Sequence, residues 1–155
     1  MAAKNTDPQT FSAEMLRDHN LVRQNHNVGA LVWDESLAAD ASRYAQRLAA
    51  AKQFEHSESA RGQPAQGENL WMGTRSAYAF REMTGAWIEE GQDFTRGTFP
   101  NISRSGSWEK VGHFTQMVWS ETRKVGCAVA ANTENDVLVC RYFPAGNVLG
   151  RNPLG

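Results

Sequence analysis

The chain has 155 residues, 41% hydrophobic and 21% charged, with a net charge of −1. That length and balance describe one globular domain that buries roughly 70% of its unfolded surface, and they exclude a disordered segment. No apolar run approaches the roughly 20 residues of a membrane-spanning helix, and sixteen Lys+Arg against seventeen Asp+Glu leave no basic field to hold nucleic acid.

A single domain is expected over residues 7–155, with residues 1–6 as a flexible N-terminus. The opening Met1-Ala2-Ala3-Lys4-Asn5-Thr6-Asp7 lacks the apolar core of a secretory signal. The chain is therefore expected to be either cytosolic or a mature segment whose signal has been removed. Asp7-Pro8 opens a first helix, because Asp caps free amides and Pro suits the first helical position. Phe11, Met15, Leu16, His19 and Val22 recur at near-helical spacing over about four turns, with an end expected near Asn27-Val28-Gly29. Asp34 opens a second helix, whose stripe is Leu37, Ala41, Tyr44, Ala45 and Leu48.

Phe54 to Gln66 reads as a loop and Gly67–Met72 as a short strand. A third helix is expected from a Ser76 cap to about Gln92, with Phe80, Met83 and Trp87 on its apolar face. Residues 95–112 read as a long loop with one anchor, Trp108, and residues 113–122 as a short helix. Lys124–Ala131 and Val137–Phe143 form a hairpin around Asn132-Thr133-Glu134-Asn135. Pairing Ala131 with Asp136 sets Cys127 opposite Cys140, at a separation compatible with either a disulfide or two free thiols. Helices first and a hairpin last indicate an α+β fold.

Some polar residues fall in apolar places. Glu90 lies seven residues after Met83 and three after Trp87, on their helix face, whereas Glu89 points with Glu82 to the polar side. A carboxylate there either finds a partner or marks the end of the stripe at solvent. Glu68 points the same way as Leu70 and Met72 if residues 67–72 are a strand; otherwise it is an exposed turn residue. Of four histidines, His19 and His26 read as structural hydrogen-bonding residues. His56 lies in the loop after the second helix. His113 opens the short helix, where the dipole favours its neutral, metal-competent form. These two His and two Glu could converge on one site, and spacing alone does not bring them together. HExxH, GxSxG, phosphate-loop and Rossmann glycine motifs are absent, and Asn101-Ile102-Ser103 is a glycosylation sequon.

Gly112-His113-Phe114-Thr115-Gln116-Met117-Val118-Trp119 resembles the GHxTQxVW signature of the CAP superfamily, the cysteine-rich secretory, antigen 5 and pathogenesis-related 1 proteins. Val139-Cys140-Arg141-Tyr142-Phe143-Pro144-Ala145-Gly146-Asn147 resembles its second signature. His19-Asn20 with Arg23, Leu31-Val32-Trp33-Asp34 with Leu37-Ala38, and Gly67-Glu68-Asn69-Leu70 agree as well, so the similarity spans roughly residues 7–153. The loop from Gly97 to Trp108 is most like bacterial members.

The resemblance implies a three-layer α-β-α sandwich around a central antiparallel sheet, and a cleft lined by His56, Glu68, Glu90 and His113. It implies a secreted or periplasmic binding module, with cytosolic residence disfavoured. His56 and His113 would hold zinc or another divalent metal, and the partner would be a lipid, a sterol-like molecule or a cell-surface ligand. It also implies a Cys127–Cys140 disulfide. The alternatives are a metal-dependent hydrolase with Glu68 or Glu90 as general base, and a purely structural hydrogen-bonded network. No shared enzymatic reaction comes with the family.

Overall fold

The computed structural model describes residues 7–58 and 66–155; the expected N-terminal flexibility and the centre of the 54–66 loop lie outside them. Helix α1 runs Pro8–Asn25, and the Asp7 carboxylate accepts from the Thr10 amide. The turn that ends it uses Asn27 in the left-handed region (φ 59°) rather than Gly29, a conformation that Asn tolerates. Strand β1, Val32–Trp33, is two residues long. Asp34 caps α2, Glu35–Ala51, through the Leu37 amide.

Strand β2, Gly67–Thr74, extends two residues past expectation. Helix α3 starts late, at Phe80, and runs to Glu89. Ser76 does not cap it: Ser76 sits in a turn at φ 62° and gives its amide to the Asp136 carboxylate. Residues 90–93 tighten into a 3₁₀ turn. The 95–112 stretch is anchored mainly by Ile102 and Phe99, both buried, while Trp108 is more than one-third exposed. Helix α4 spans Gly112–Val118, and strands β3 (Lys124–Ala131) and β4 (Asn135–Phe143) form the hairpin.

The sheet order is β1-β3-β4-β2. The hairpin register is the expected one, Ala131 opposite Asp136 and Cys127 opposite Cys140, and those cysteines are disulfide-bonded. The sheet is mixed, however, not purely antiparallel: β1 runs parallel to β3, with Val32 beside Lys124. A two-residue strand carries no alternation to read, so its direction was invisible in the sequence.

Alternating side chains build the two cores. Leu70 of β2 and Val137 and Val139 of β4 face α2, packing on Ala41, Ala45 and Leu48. Leu138, Cys140 and Tyr142 face the opposite layer, with Met15, Met83, Trp87, Phe114 and Trp119 of the α1, α3 and α4 side. Gly126 is required where α2 crosses β3, since a Cβ there would lie 2.2 Å from the Ala38 amide nitrogen.

Helix α1 carries two fully buried polar residues, His19 and Arg23. The Arg23 guanidinium is met by main-chain carbonyls. It donates to four carbonyls: those of Gly29, Met117, Trp119 and Thr122. Burial lowers it to about 10, with the Arg123 charge adding to the effect. His19 donates from Nδ1 to the Met15 carbonyl and accepts at Nε2 from the Tyr142 hydroxyl, both at 2.7 Å. Burial lowers its pKa to about 4, against the Met15 hydrogen bond.

Two stability effects follow. Between pH 6.5 and about 4 the unfolded chain takes a proton at His19 that the folded chain refuses. Stability is therefore complete at neutral pH and falls as pH drops through that window, by about 3 kcal/mol. Denaturant titrations across the window should show the fall, and His19→Gln should flatten it. The disulfide closes a loop of sequence separation 13, so Cys127→Ala/Cys140→Ala should lower the unfolding free energy by about 2–3 kcal/mol.

Candidate functional site

Glu68 and Asn69 are consecutive on the edge strand β2, so their side chains leave on opposite faces. Glu68 faces the α2 layer, directly opposite Arg141 of β4. Its side chain is fully buried and its carboxylate is crowded with donors. Oε1 accepts from His56 Nδ1 and the Ser57 amide, each at 2.9 Å. Oε2 accepts from the Ser57 hydroxyl at 2.8 Å. Arg141 Nε lies 2.8 Å from Oε2, in charge contact but outside hydrogen-bond alignment. The Arg141 fork is fixed by Gln66 and the Ser57 hydroxyl. Burial alone would raise the Glu68 carboxyl, but the bonds from His56 and Ser57 and the Arg141 charge outweigh it and hold the carboxyl below its usual range.

Asn69 faces the other layer. Its amide donates to the His113 carbonyl (3.0 Å) and to the Tyr142 oxygen (3.2 Å). Tyr142 in turn donates to His19, as burial pushing its phenol upward requires. One chain of hydrogen bonds thus runs from α1 through β4 and β2 to the start of α4.

Glu90, just beyond α3, reaches the start of α4. Oε1 accepts from the His113 and Phe114 amides at 3.0 and 3.2 Å. Oε2 accepts from His113 Nδ1 at 2.7 Å. A carboxylate at that end also complements the helix dipole. The His113 ring stacks on Trp87, with centroids 5.7 Å apart and planes 13° apart.

The structure therefore assembles two histidine–carboxylate pairs, His56–Glu68 and His113–Glu90, on either side of the β2 edge. Among the described residues, no three His, Cys, Asp or Glu side chains gather as a metal-ready cluster. A cavity of about 780 Å³ lies beside the first pair, lined by Tyr44, Arg47, Glu55, His56, Ser57 and Arg141; Glu90 and His113 do not line it. In both pairs the ionised carboxylate can only accept, so Nδ1 carries a proton, and in the neutral imidazole the lone pair lies on Nε2. The His56 ring is half-exposed and the His113 ring about one-third exposed.

Sequence reasoning named all four members of these pairs but did not assign Arg141, Asn69 or Tyr142 a role. Arg141 had a signal: with β2 and β4 paired, a buried Glu facing a neighbouring strand calls for a cation opposite. Removing Glu68 alone leaves Arg141 buried and uncompensated. Glu68→Ala should cost about 3–5 kcal/mol by urea unfolding, and Glu68→Leu/Arg141→Met should recover much of that loss.

Residues 16–142 match the sequence profile of the cysteine-rich secretory protein family, CAP. A PR-1-type pathogenesis-related protein of Sambucus nigra is 37% identical over 136 residues, covering 87% of this chain and 77% of the relative. The human Golgi-associated plant pathogenesis-related protein 1 is 37% identical over 146 residues, covering 90% and 86%. Among solved structures, NaASP2 with Zn2+ superposes with a TM-score of 0.73 at 24% identity, covering 98% of this chain and 87% of that one. Hookworm platelet inhibitor superposes at 0.71 and 19% identity, covering 99% and 79%. The two signature stretches thus fall on α4 and on the end of β4 with the segment after it, in a fold shared with these structures, and the chain belongs to the CAP family.

Proposed function

We propose that the chain is a CAP-domain binding module whose paired histidines, His56 and His113, hold a divalent ion of the zinc type. One observation carries the reading: each imidazole is tied through Nδ1 to a carboxylate, which directs the lone pair to Nε2. That is how metal-binding histidines are oriented by their outer partners. The donor set fits zinc, with two neutral imidazoles as protein ligands and water in the remaining positions. Zinc is also what the NaASP2 structure of the same fold contains. When bound, such an ion acts as a Lewis acid toward an oxygen ligand.

The carboxylates support positioning rather than proton abstraction. Glu68 already accepts three hydrogen bonds and contacts a guanidinium. Glu90 already accepts three. These contacts favour binding over turnover. The walls beside His56 are polar and charged, which suits a polar cell-surface ligand better than a sterol or a lipid chain. The buried disulfide fits residence in a secreted or periplasmic compartment.

Zinc titration by calorimetry at neutral pH tests this reading. Wild type should show one site that is lost in both His56→Ala and His113→Ala, and Glu90→Gln should weaken it by about tenfold to a hundredfold. Equal binding in wild type and both histidine variants, or none in any, would leave the two pairs as braces between layers. Loss in only one variant would refute the two-histidine site.

A further inference from the structure

Strand β3 is paired along its whole length by β4, but on its other side β1 covers only Lys124 and Val125. Among the described residues, nothing pairs with the outer edge from Cys127 to Ala131. The phase of that edge is set by its neighbours. The Asp34 amide donates to the Val125 carbonyl at 2.9 Å on the outer side. Main-chain groups alternate along an antiparallel pair, so Cys127, Val129 and Ala131 also point theirs outward. The 4.0 Å Cα separation of Cys127 and Cys140 gives the same phase, that of a pair without mutual hydrogen bonds. Cys127 is buried, Val129 half-buried and Ala131 exposed, so the edge is open along part of its length.

This edge forms the floor of a trough of about 890 Å³. Phe11 and Phe80, in edge-to-face contact, line it from one layer; Ala38 and Ser42 of α2 line it from the other. Trp33 also lines it, and its indole N–H is buried with no acceptor among the described residues.

We propose that the trough binds an extended peptide of a partner protein, which lies along β3 beyond the end of β1 and pairs main chain to main chain with Cys127, Val129 and Ala131. The walls define the peptide's chemistry. Side chains pointing to the Phe11–Phe80 wall are apolar, and those pointing to Ala38 and Ser42 are small or hydroxyl-bearing. A second copy of this chain does not suit the trough. Its own β3 edge is sunk between the same walls of α1, α3 and α2, and two sunken edges cannot approach to the strand spacing of about 4.8 Å. A single extended strand can. This surface is separate from the paired histidines, so the proposal does not depend on metal binding.

The probe is a capped seven-residue peptide of alternating valine and threonine, added to the full chain. Amide exchange followed by NMR should slow by about tenfold or more at Cys127, Val129 and Ala131 when peptide is present. Val129→Pro removes one outward N–H without touching the β4 ladder, a placement that edge strands tolerate. It should weaken binding by about tenfold, while Val129→Thr binds as wild type. No binding up to about 1 mM peptide overturns the proposal. So does binding that leaves those three amides unprotected, because an apolar molecule merely filling the trough would do the same. Protection of the same amides in a peptide-free dimer, seen by light scattering, would assign the edge to self-association instead.

Discussion

The register between β2 and β4 is the constraint on which both half-sites rest. Because side chains alternate along a strand, a slip of one residue would send Glu68 to the α1 layer and Asn69 to the α2 layer. The carboxylate would then lose His56, Ser57 and Arg141 together. The Asn69 amide would lose the His113 carbonyl and the Tyr142 oxygen. Few register errors carry such a penalty, since a buried charge without its partner costs several kcal/mol. The Glu68–Arg141 pair therefore reads as a device for alignment as much as for stability. It fixes which face of an edge strand meets which layer.

The hydrogen-bonded path from Met15 through His19, Tyr142 and Asn69 to the His113 carbonyl has a related role. It joins α1, β4, β2 and α4 with directional bonds where apolar packing alone would tolerate small shifts. Each member has one protonation state that satisfies its neighbours: a neutral His19, a protonated Tyr142 and an amide donor at Asn69. The position of the His113 main chain is thus set from a helix on the far side of the layer.

How far the sequence disclosed this arrangement depends on the length of each pattern. The ten-residue α3 was long enough for periodicity to select Glu90 over Glu89, and the structure turns Glu90 toward His113. The hairpin register followed from its turn and was correct to the residue. The two-residue β1 offered no pattern, so its parallel pairing was missed. Ser76 looked like a helix cap because its chemistry suits one, but Asp136 in β4 claims its amide from a distant part of the chain. Residues 95–112 read as loop because their buried side chains, Phe99 and Ile102, follow neither helical nor strand spacing. Arg23 falls on the same stripe as Met15, His19 and Val22, so its burial was legible; its four carbonyl partners, three of them about a hundred residues away, were not.

Those carbonyls bear on how the molecule assembles. Helix α4 has seven residues, well under the roughly 12–15 at which an isolated helix becomes marginal in water. Glu90 holds the amides at its start, and Arg23 holds the Met117 and Trp119 carbonyls at its end. One charge comes from the end of α3 and the other from α1, so neither is local to the segment it steadies. The stretch bearing His113 is therefore a poor seed for folding: it winds into a helix only after α1 and α3 have docked, and it would be among the first to unwind if either were pulled away.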